Sequence, residues 1–298
     1  MKASRAMFLG RTTLDALYWL ELTPEENTKV YARRFQTAAG GPATNAAITH
    51  ALLGGETLLA SAIGGGPWAS QVRAELDALG IRLFDLAEGT AYETPLCAVL
   101  VNGANGNRTI VNPPISEARL RRPGAWQQET DALGGEMPPV VLTDGFFFDE
   151  AQTLLTSLRD AGAKLCLDGG SWKPGTDKLV HLLTVAICSE RFTVPGQPAA
   201  HANPEAIITW FAANGLPFIA VTRGAQSILG WDRGRRFEIE VARVAAVDTL
   251  GAGDVLHGAF SHYFAQEPDF EGALRQASEI ATRSCQTLGT RAWAARDL

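Results

Sequence analysis

Four short, nearly unbroken apolar runs in the second half of the chain, Val140 to Thr143, Lys164 to Leu167, Val185 to Cys188 and Phe218 to Val221, alternate with stretches of helical character. Strands that read as continuous apolar segments are covered on both faces, which is the situation of a parallel sheet sandwiched by helices. One intervening helix is bounded clearly: Asn203-Pro204 opens it, Ile207, Ile208 and Phe211 form its buried stripe, and Asn214-Gly215 closes it. Strand–helix–strand units of this kind are right-handed, and they gather ligands at the carboxyl ends of their strands. The fold class expected is therefore α/β with a mostly parallel central sheet.

The first half has a different rhythm. Ala6 to Leu9 reads as a buried strand ending at Gly10, and a helix begins after Gly40-Gly41-Pro42, runs through Ala46, Ala47, Ile48 and Leu52, and stops at Gly54-Gly55. Between them, Lys29 to Thr37 alternates as an exposed strand would, with Tyr31 and Phe35 on one parity. Leu96 to Val101 and Arg108 to Val111 flank the turn-rich Asn102-Gly103-Ala104-Asn105-Gly106-Asn107 and predict a hairpin. These pieces suggest one domain over residues 1–298 carrying a small β lid made of two insertions, about 16–38 and 91–112.

Composition narrows the function. A net charge of -6 without a cluster of lysine and arginine argues against a nucleic-acid partner or an anionic membrane surface. The four cysteines, Cys97, Cys166, Cys188 and Cys285, lack the close spacing of a zinc or redox motif and read as reduced thiols. The apolar run within Met1 to Gly10 is too short for a signal peptide, and no stretch approaches the ~20 apolar residues of a membrane span. A cytoplasmic protein is expected.

The chemistry concentrates at Val247-Asp248-Thr249-Leu250-Gly251-Ala252-Gly253-Asp254, which breaks into a helix whose face is Val255, Leu256, Ala259, Phe260, Tyr263 and Phe264. Amides at Gly251, Ala252 and Gly253 would stand bare at a helix start, where unpaired N–H groups and the helix dipole favour a phosphate. Asp254, in the first turn, would take a proton from a hydroxyl facing that phosphate. A plain glycine turn with an aspartate cap would look similar and need no ligand. A dinucleotide fingerprint is disfavoured because position 256 is Leu where a third glycine belongs, and no P-loop sequence is present.

The string Asp-Thr-x-Gly-Ala-Gly-Asp, together with Gly40-Gly41-Pro42-Ala43-Thr44-Asn45-Ala46-Ala47, resembles the signatures of the ribokinase (PfkB) family of sugar kinases. The resemblance implies a ribokinase-like three-layer fold, ATP as donor with Mg²⁺, and transfer of the γ-phosphate to a monosaccharide hydroxyl. It also implies that Asp15, Gly41 and Asn45 hold the sugar, and that Asp248 and Thr249 lie by a monovalent cation such as K⁺. The hairpin around Arg108 and Asn112 looks like that of the ketohexokinase and sulfofructose kinase branch, where lid residues reach the substrate; in the wider family such a lid closes over the sugar and often pairs with a partner subunit's lid, so the resemblance implies a homodimer.

For the nucleotide, Thr222 and Gly224 match a strand-end turn beside ATP, and Ser189-Glu190 stands where many members carry Asn-x-x-Glu. Here position 192 is Phe, so Glu190 or Asp144 is the substitute acid. Lys173 is either a cation near the phosphates or a solvated loop lysine. Phe146-Phe147-Phe148 after Asp144-Gly145 form either an aromatic pocket wall or core. Because no Arg or Lys lies in that run, a sulfosugar is disfavoured and a neutral ketose such as fructose is expected. A nucleoside kinase of the same fold, and a sugar-binding protein without turnover, are the alternatives.

Overall fold

A computed structural model describes residues 4–114, 116, 118–131, 134–196 and 203–297. The chain enters through β1 (Arg5–Leu9), turns at Gly10–Thr12, and continues as β2 (Thr13–Leu20) and β3 (Arg34–Gly40) before α1 (Pro42–Leu52). There follow β4 (Glu56–Ser61), α2 (Ala69–Ala78), β5 (Arg82–Asp85), and the hairpin β6 (Leu96–Asn102) and β7 (Arg108–Val111). The second half alternates β8 (Val140–Thr143), α3 (Phe148–Asp160), β9 (Lys164–Gly169), α4 (Thr176–Leu179), β10 (Val185–Ser189), α5 (Pro204–Ala213) and β11 (Phe218–Arg223). It closes with β12 (Gln226–Asp232), β13 (Arg235–Ile239), α6 (Ala252–Gln266) and α7 (Phe270–Ser284).

Nine strands form one sheet in the order β13-β12-β11-β10-β9-β8-β1-β4-β5, parallel from β11 to β5 and antiparallel at β12 and β13. Alternate residues of each strand serve opposite layers. Ala6, Phe8, Leu142 and Ile187 pack with α1, α2, α6 and α7, while Met7, Leu9, Val141 and Ala186 pack with α3 and α5. All four apolar runs are strands buried on both sides, and the architecture is the expected ribokinase-like α/β/α arrangement.

The second sheet, β3-β2-β6-β7, is the lid. β2 pairs antiparallel with β3 and parallel with β6, and β6 pairs antiparallel with β7. The strand expected over Lys29–Thr37 begins only at Arg34, opposite Trp19: the Arg33 amide still bonds the Trp19 carbonyl at 2.8 Å, but β2 ends one residue beyond that pair and leaves residues 29–32 without a ladder partner. The lid also starts earlier and ends later than 16–38, at Thr13 and Gly40. Because Asp15 pairs with Ala38 and Cys97, and Trp19 with Arg34 and Val101, the odd-numbered residues of β2 share one face with these partners. That face packs Leu17, Trp19, Ala38, Val99 and Val101 onto Leu250, the residue before the glycine turn.

Candidate active site

α6 reaches the site because it lies close against α1 at Gly258. A Cβ at Gly258 would meet the Ala46 carbonyl at 2.2 Å, so glycine there permits the close approach, and Ala43, Ala46 and Ala47 keep α1 thin. The result joins the two sequence signatures: Asn45 Nδ2 donates to Asp254 Oδ2 at 2.8 Å. Gly41, at φ 94, caps α1, and its carbonyl accepts the Asn45 amide at 2.9 Å. A side chain at Gly41 would strike the Arg11 carbonyl at 2.3 Å.

The turn before α6 departs from the expectation at one amide: that of Ala252 is not bare but donates to the Thr249 carbonyl at 3.4 Å. Gly251 is left-handed at φ 66 and sits under Thr290, while a Cβ built on Gly253 meets nothing within 4 Å. Amides of the first helical turn lack an intrahelical carbonyl four residues back, and those at Gly253 and Asp254 lie beside that open space. Asp254 retains some solvent access but is densely surrounded. Burial first, and the charge of Asp168 second, push its carboxyl up to about 7, against the Asn45 hydrogen bond and the charges of His257 and Arg108. A carboxylate tuned to that range is suited to exchanging a proton near neutral pH.

Asp168, at the end of β9, was not singled out from the sequence. Its Oδ2 is buried without a hydrogen-bond partner and lies 3.5 Å from His257 Nδ1. His257 also approaches the Gly253 carbonyl at 2.7 Å through Nδ1 and the Ile187 carbonyl at 3.1 Å through Nε2. Both ring nitrogens of His257 thus lie within hydrogen-bonding distance of backbone carbonyls, with Asp168 beside Nδ1. The pair ties the first turn of α6 to the ends of β9 and β10. An aspartate closing an apolar strand run was the available signal.

Asp15 shares a cavity of about 170 Å³ with Asn45, Leu250, Thr290 and Arg291. Thr13 Oγ1 donates to its Oδ1 at 2.6 Å, and burial raises its carboxyl above the ordinary value despite that bond and the charges of Arg291 and Arg11. Arg108 Nη1 donates to the Thr249 carbonyl at 3.4 Å, placing this lid residue over the glycine turn. Asn112 is less engaged: its Oδ1 accepts from Cys97 Sγ at 3.2 Å, beside Asp15 in the sheet register.

Asp248 and Thr249 are committed to protein groups. Asp248 accepts from the Leu250 amide at 2.9 Å, the Gly289 amide at 2.9 Å and Trp19 Nε1 at 3.3 Å, and Thr249 Oγ1 donates to the Gly106 carbonyl at 3.0 Å. Among the described residues no group of three or more acidic, histidine or cysteine side chains could hold a metal ion.

The expected nucleotide residues cluster at neighbouring strand ends. Ser189 pairs with Thr222, the Glu190 amide donates to the Thr222 carbonyl at 2.9 Å, and Gly224 turns with φ 61. Phe192 is buried against Trp172 and Phe211, so it has gone to the core. Asp144 is 2 % exposed, and its oxygens accept the amides of Arg11 at 2.9 Å, Phe146 at 3.0 Å and Ala43 at 3.3 Å. Of the two proposed substitute acids, that leaves Glu190 open at the strand ends.

The aromatic run divides: Phe148 is core, while Phe146 stands between Arg11, at 5.5 Å from its ring centre, and Lys173, at 4.9 Å. The run itself holds no cation, as the sequence shows, but the fold brings two to it from other strand ends, one after β1 and one after β9. The cysteines are all free, three of them buried.

A nine-stranded α/β sheet under a four-stranded lid, with an amide turn and a buried acid at their junction, defines a class of small-molecule phosphotransferases. The pfkB family carbohydrate kinase profile matches residues 5–296, and the chain belongs to that family. The deoxyribokinase of Salmonella typhi is 25% identical over 289 residues, covering 95% of this chain and 92% of the relative. The solved structure of ribokinase from Giardia lamblia superposes with a TM-score of 0.78 at 17% identity, covering 98% of this chain and 96% of that one. Ribokinase of Arabidopsis thaliana, solved with ribose and ATP, superposes with a TM-score of 0.69 at 19% identity, covering 96% and 94%. The protein is thus a phosphotransferase that uses an alcohol group as acceptor, within a family of sugar and nucleoside kinases.

Proposed function

We propose that this protein is an ATP-dependent sugar kinase that transfers the γ-phosphate to a monosaccharide hydroxyl, with a ketose such as fructose as the framework of the acceptor. The observation that carries the reading is the contact between Asn45 and Asp254 beside the open space at Gly253. The acceptor lies in the cavity between lid and C-terminal segment, where Asp15, Asn45 and the bare backbone at Gly41 take its hydroxyls. Arg108 and Asn112 approach from the lid. Asp254 accepts the proton of the attacking hydroxyl, and the amides of Gly251 and Gly253 stabilise charge on the transferring group. Closure of the lid excludes water, which protects the phosphoryl group from hydrolysis.

The nucleotide runs from that turn toward Ser189, Glu190, Thr222 and Gly224. Mg²⁺, when bound with ATP, neutralises phosphate oxygens, and Glu190 is the acid placed to hold its water. A K⁺ beside Asp248 and Thr249 would have to use oxygen lone pairs not already engaged; activity that does not respond to K⁺ removes it from the reading. The outer lid face, where Phe35 is 56% and Val111 58% exposed near Tyr18, is proposed to pair with a second copy. Among the described residues no helix is long and apolar enough to cross a membrane. Free thiols and ATP dependence fit a cytoplasmic site of action.

Purified protein offered ATP with a panel of sugars and nucleosides tests the reading through ADP release. Turnover with a sugar is expected. Turnover with nucleosides alone would move the acceptor class, and none with any acceptor would leave a binding protein.

A further inference from the structure

The guanidinium of Arg11 makes no hydrogen bond or ion pair with any described residue, although its backbone is fixed by the amide bond to Asp144. It lies on the Phe146 ring, and its charge acts on Asp15, Cys97 and Lys173, so it stands between the lid floor and the ends of β8 and β9. Lys173 is held on the same ring from the other strand end. Its Nζ donates to the Ser171 carbonyl at 3.0 Å and hydroxyl at 2.8 Å, and its stem packs against Gly145, whose φ of 82 turns the chain there.

Two cations sharing one aromatic ring repel each other unless an anion lies between or beside them. The nearby acids, Asp144, Asp168 and Asp15, act on the two cations through charge, yet none of them makes an ion pair or hydrogen bond with either side chain. Asp144 is sealed by three amides, and burial pushes its carboxyl up to about 7, so it carries only part of a charge near neutrality. Asp168 faces His257. Asp15, the remaining acid, lines the acceptor cavity with Asn45, the residue bonded to Asp254. Arg11 stands outside the lining of that cavity but close enough for its charge to act on Asp15, so an acceptor whose hydroxyl meets Asp254 and whose middle meets Asp15 would reach Arg11 by extending past Asp15.

We propose that the acceptor is a monosaccharide bearing an anionic group, gripped by Arg11 and Lys173 over the face of Phe146. This rests on the kinase reading and replaces a neutral ketose with a charged one. Planar guanidinium with a neighbouring ammonium suits carboxylate, sulfonate or phosphate oxygens, and the five free N–H groups of Arg11 permit two parallel hydrogen bonds.

The test compares kcat/KM for fructose with that for fructuronate, 6-deoxy-6-sulfofructose and fructose 6-phosphate, which place a carboxylate, a sulfonate and a phosphate at one end of the same sugar. At least one anionic acceptor is expected to exceed fructose by about tenfold or more, the scale of one or two hydrogen bonds to a charged group. Arg11→Met and, separately, Lys173→Met are expected to shrink that ratio, and the anion that wins identifies the group. Fructose equal to or better than all three overturns the proposal while leaving the kinase reading intact. So does a fall that is the same for every acceptor and accompanied by a raised KM for ATP, because the cations would then serve the nucleotide. Calorimetric binding of the same four sugars decides the matter apart from turnover: anion-selective binding lost in Arg11→Met supports it, and indifferent binding refutes it.

Discussion

Asp144 and Asp254 occupy two corners of the same molecule, and burial pushes both carboxyls up to about 7, yet their surroundings give them different work. Asp144 is closed in by three backbone amides that pin β1, α1 and the turn before α3 together. Asp254 accepts from one side chain, that of Asn45, and otherwise borders the space in front of Gly253. The comparison teaches that a raised carboxyl does not by itself mark chemistry. What separates bracket from base is whether an oxygen is left for a substrate proton.

The widest separation is expected from Asp254→Asn, which removes the base and lowers kcat by at least about 10²-fold while ATP binding survives, because general-base catalysis contributes on that scale. Turnover within a few-fold of native would end the distinction between the two acids. Asn45→Ala comes next, with KM for the acceptor rising about tenfold, the loss of one hydrogen bond to a charged group, and kcat falling less. A normal KM would detach Asn45 from the acceptor.

Asp144→Asn attacks the other corner. An amide group there must turn a donor toward backbone donors, so a loss of about 1–3 kcal/mol of stability is expected, measured by denaturant unfolding. A fully stable Asp144→Asn enzyme with no activity would reverse the assignment.

The smallest effect is thermal. Because the folded-state value of Asp254 lies above the unfolded one, its neutral form stabilises the fold at low pH, and that contribution is lost as pH rises toward about 7. Asp254→Asn should therefore match the native melting temperature near pH 4 and exceed it increasingly up to pH 7. A constant offset would mean that Asp254 is not strained by its charge.

Much of this was legible in the sequence wherever a local pattern and its tertiary role coincide. The runs at 140–143, 164–167, 185–188 and 218–221 are strands because nothing but a doubly covered sheet can use them. The turn before Asp254 needed left-handed backbone at one position, which Gly251 supplies, and open space at another, which Gly253 leaves. The lid strand at Lys29–Thr37 misled because alternation in an exposed segment carries no record of where the pairing partner ends. The cations around Phe146 were invisible for a different reason: Arg11 and Lys173 are far apart in the chain and meet Phe146 only because β1, β8 and β9 are adjacent in the sheet. Asp168 and His257 are likewise joined by the packing of α6 over β9 and β10.

The pH dependence of kcat/KM, measured on native enzyme and on Asp254→Asn, tests the central claim most directly. If Asp254 is the base, the native profile climbs through an inflection near 7 as its carboxyl ionises, and the residual activity of the variant lacks that limb. A native profile that stays flat from mildly acidic to mildly alkaline pH, or a limb that persists in the variant, would contradict it.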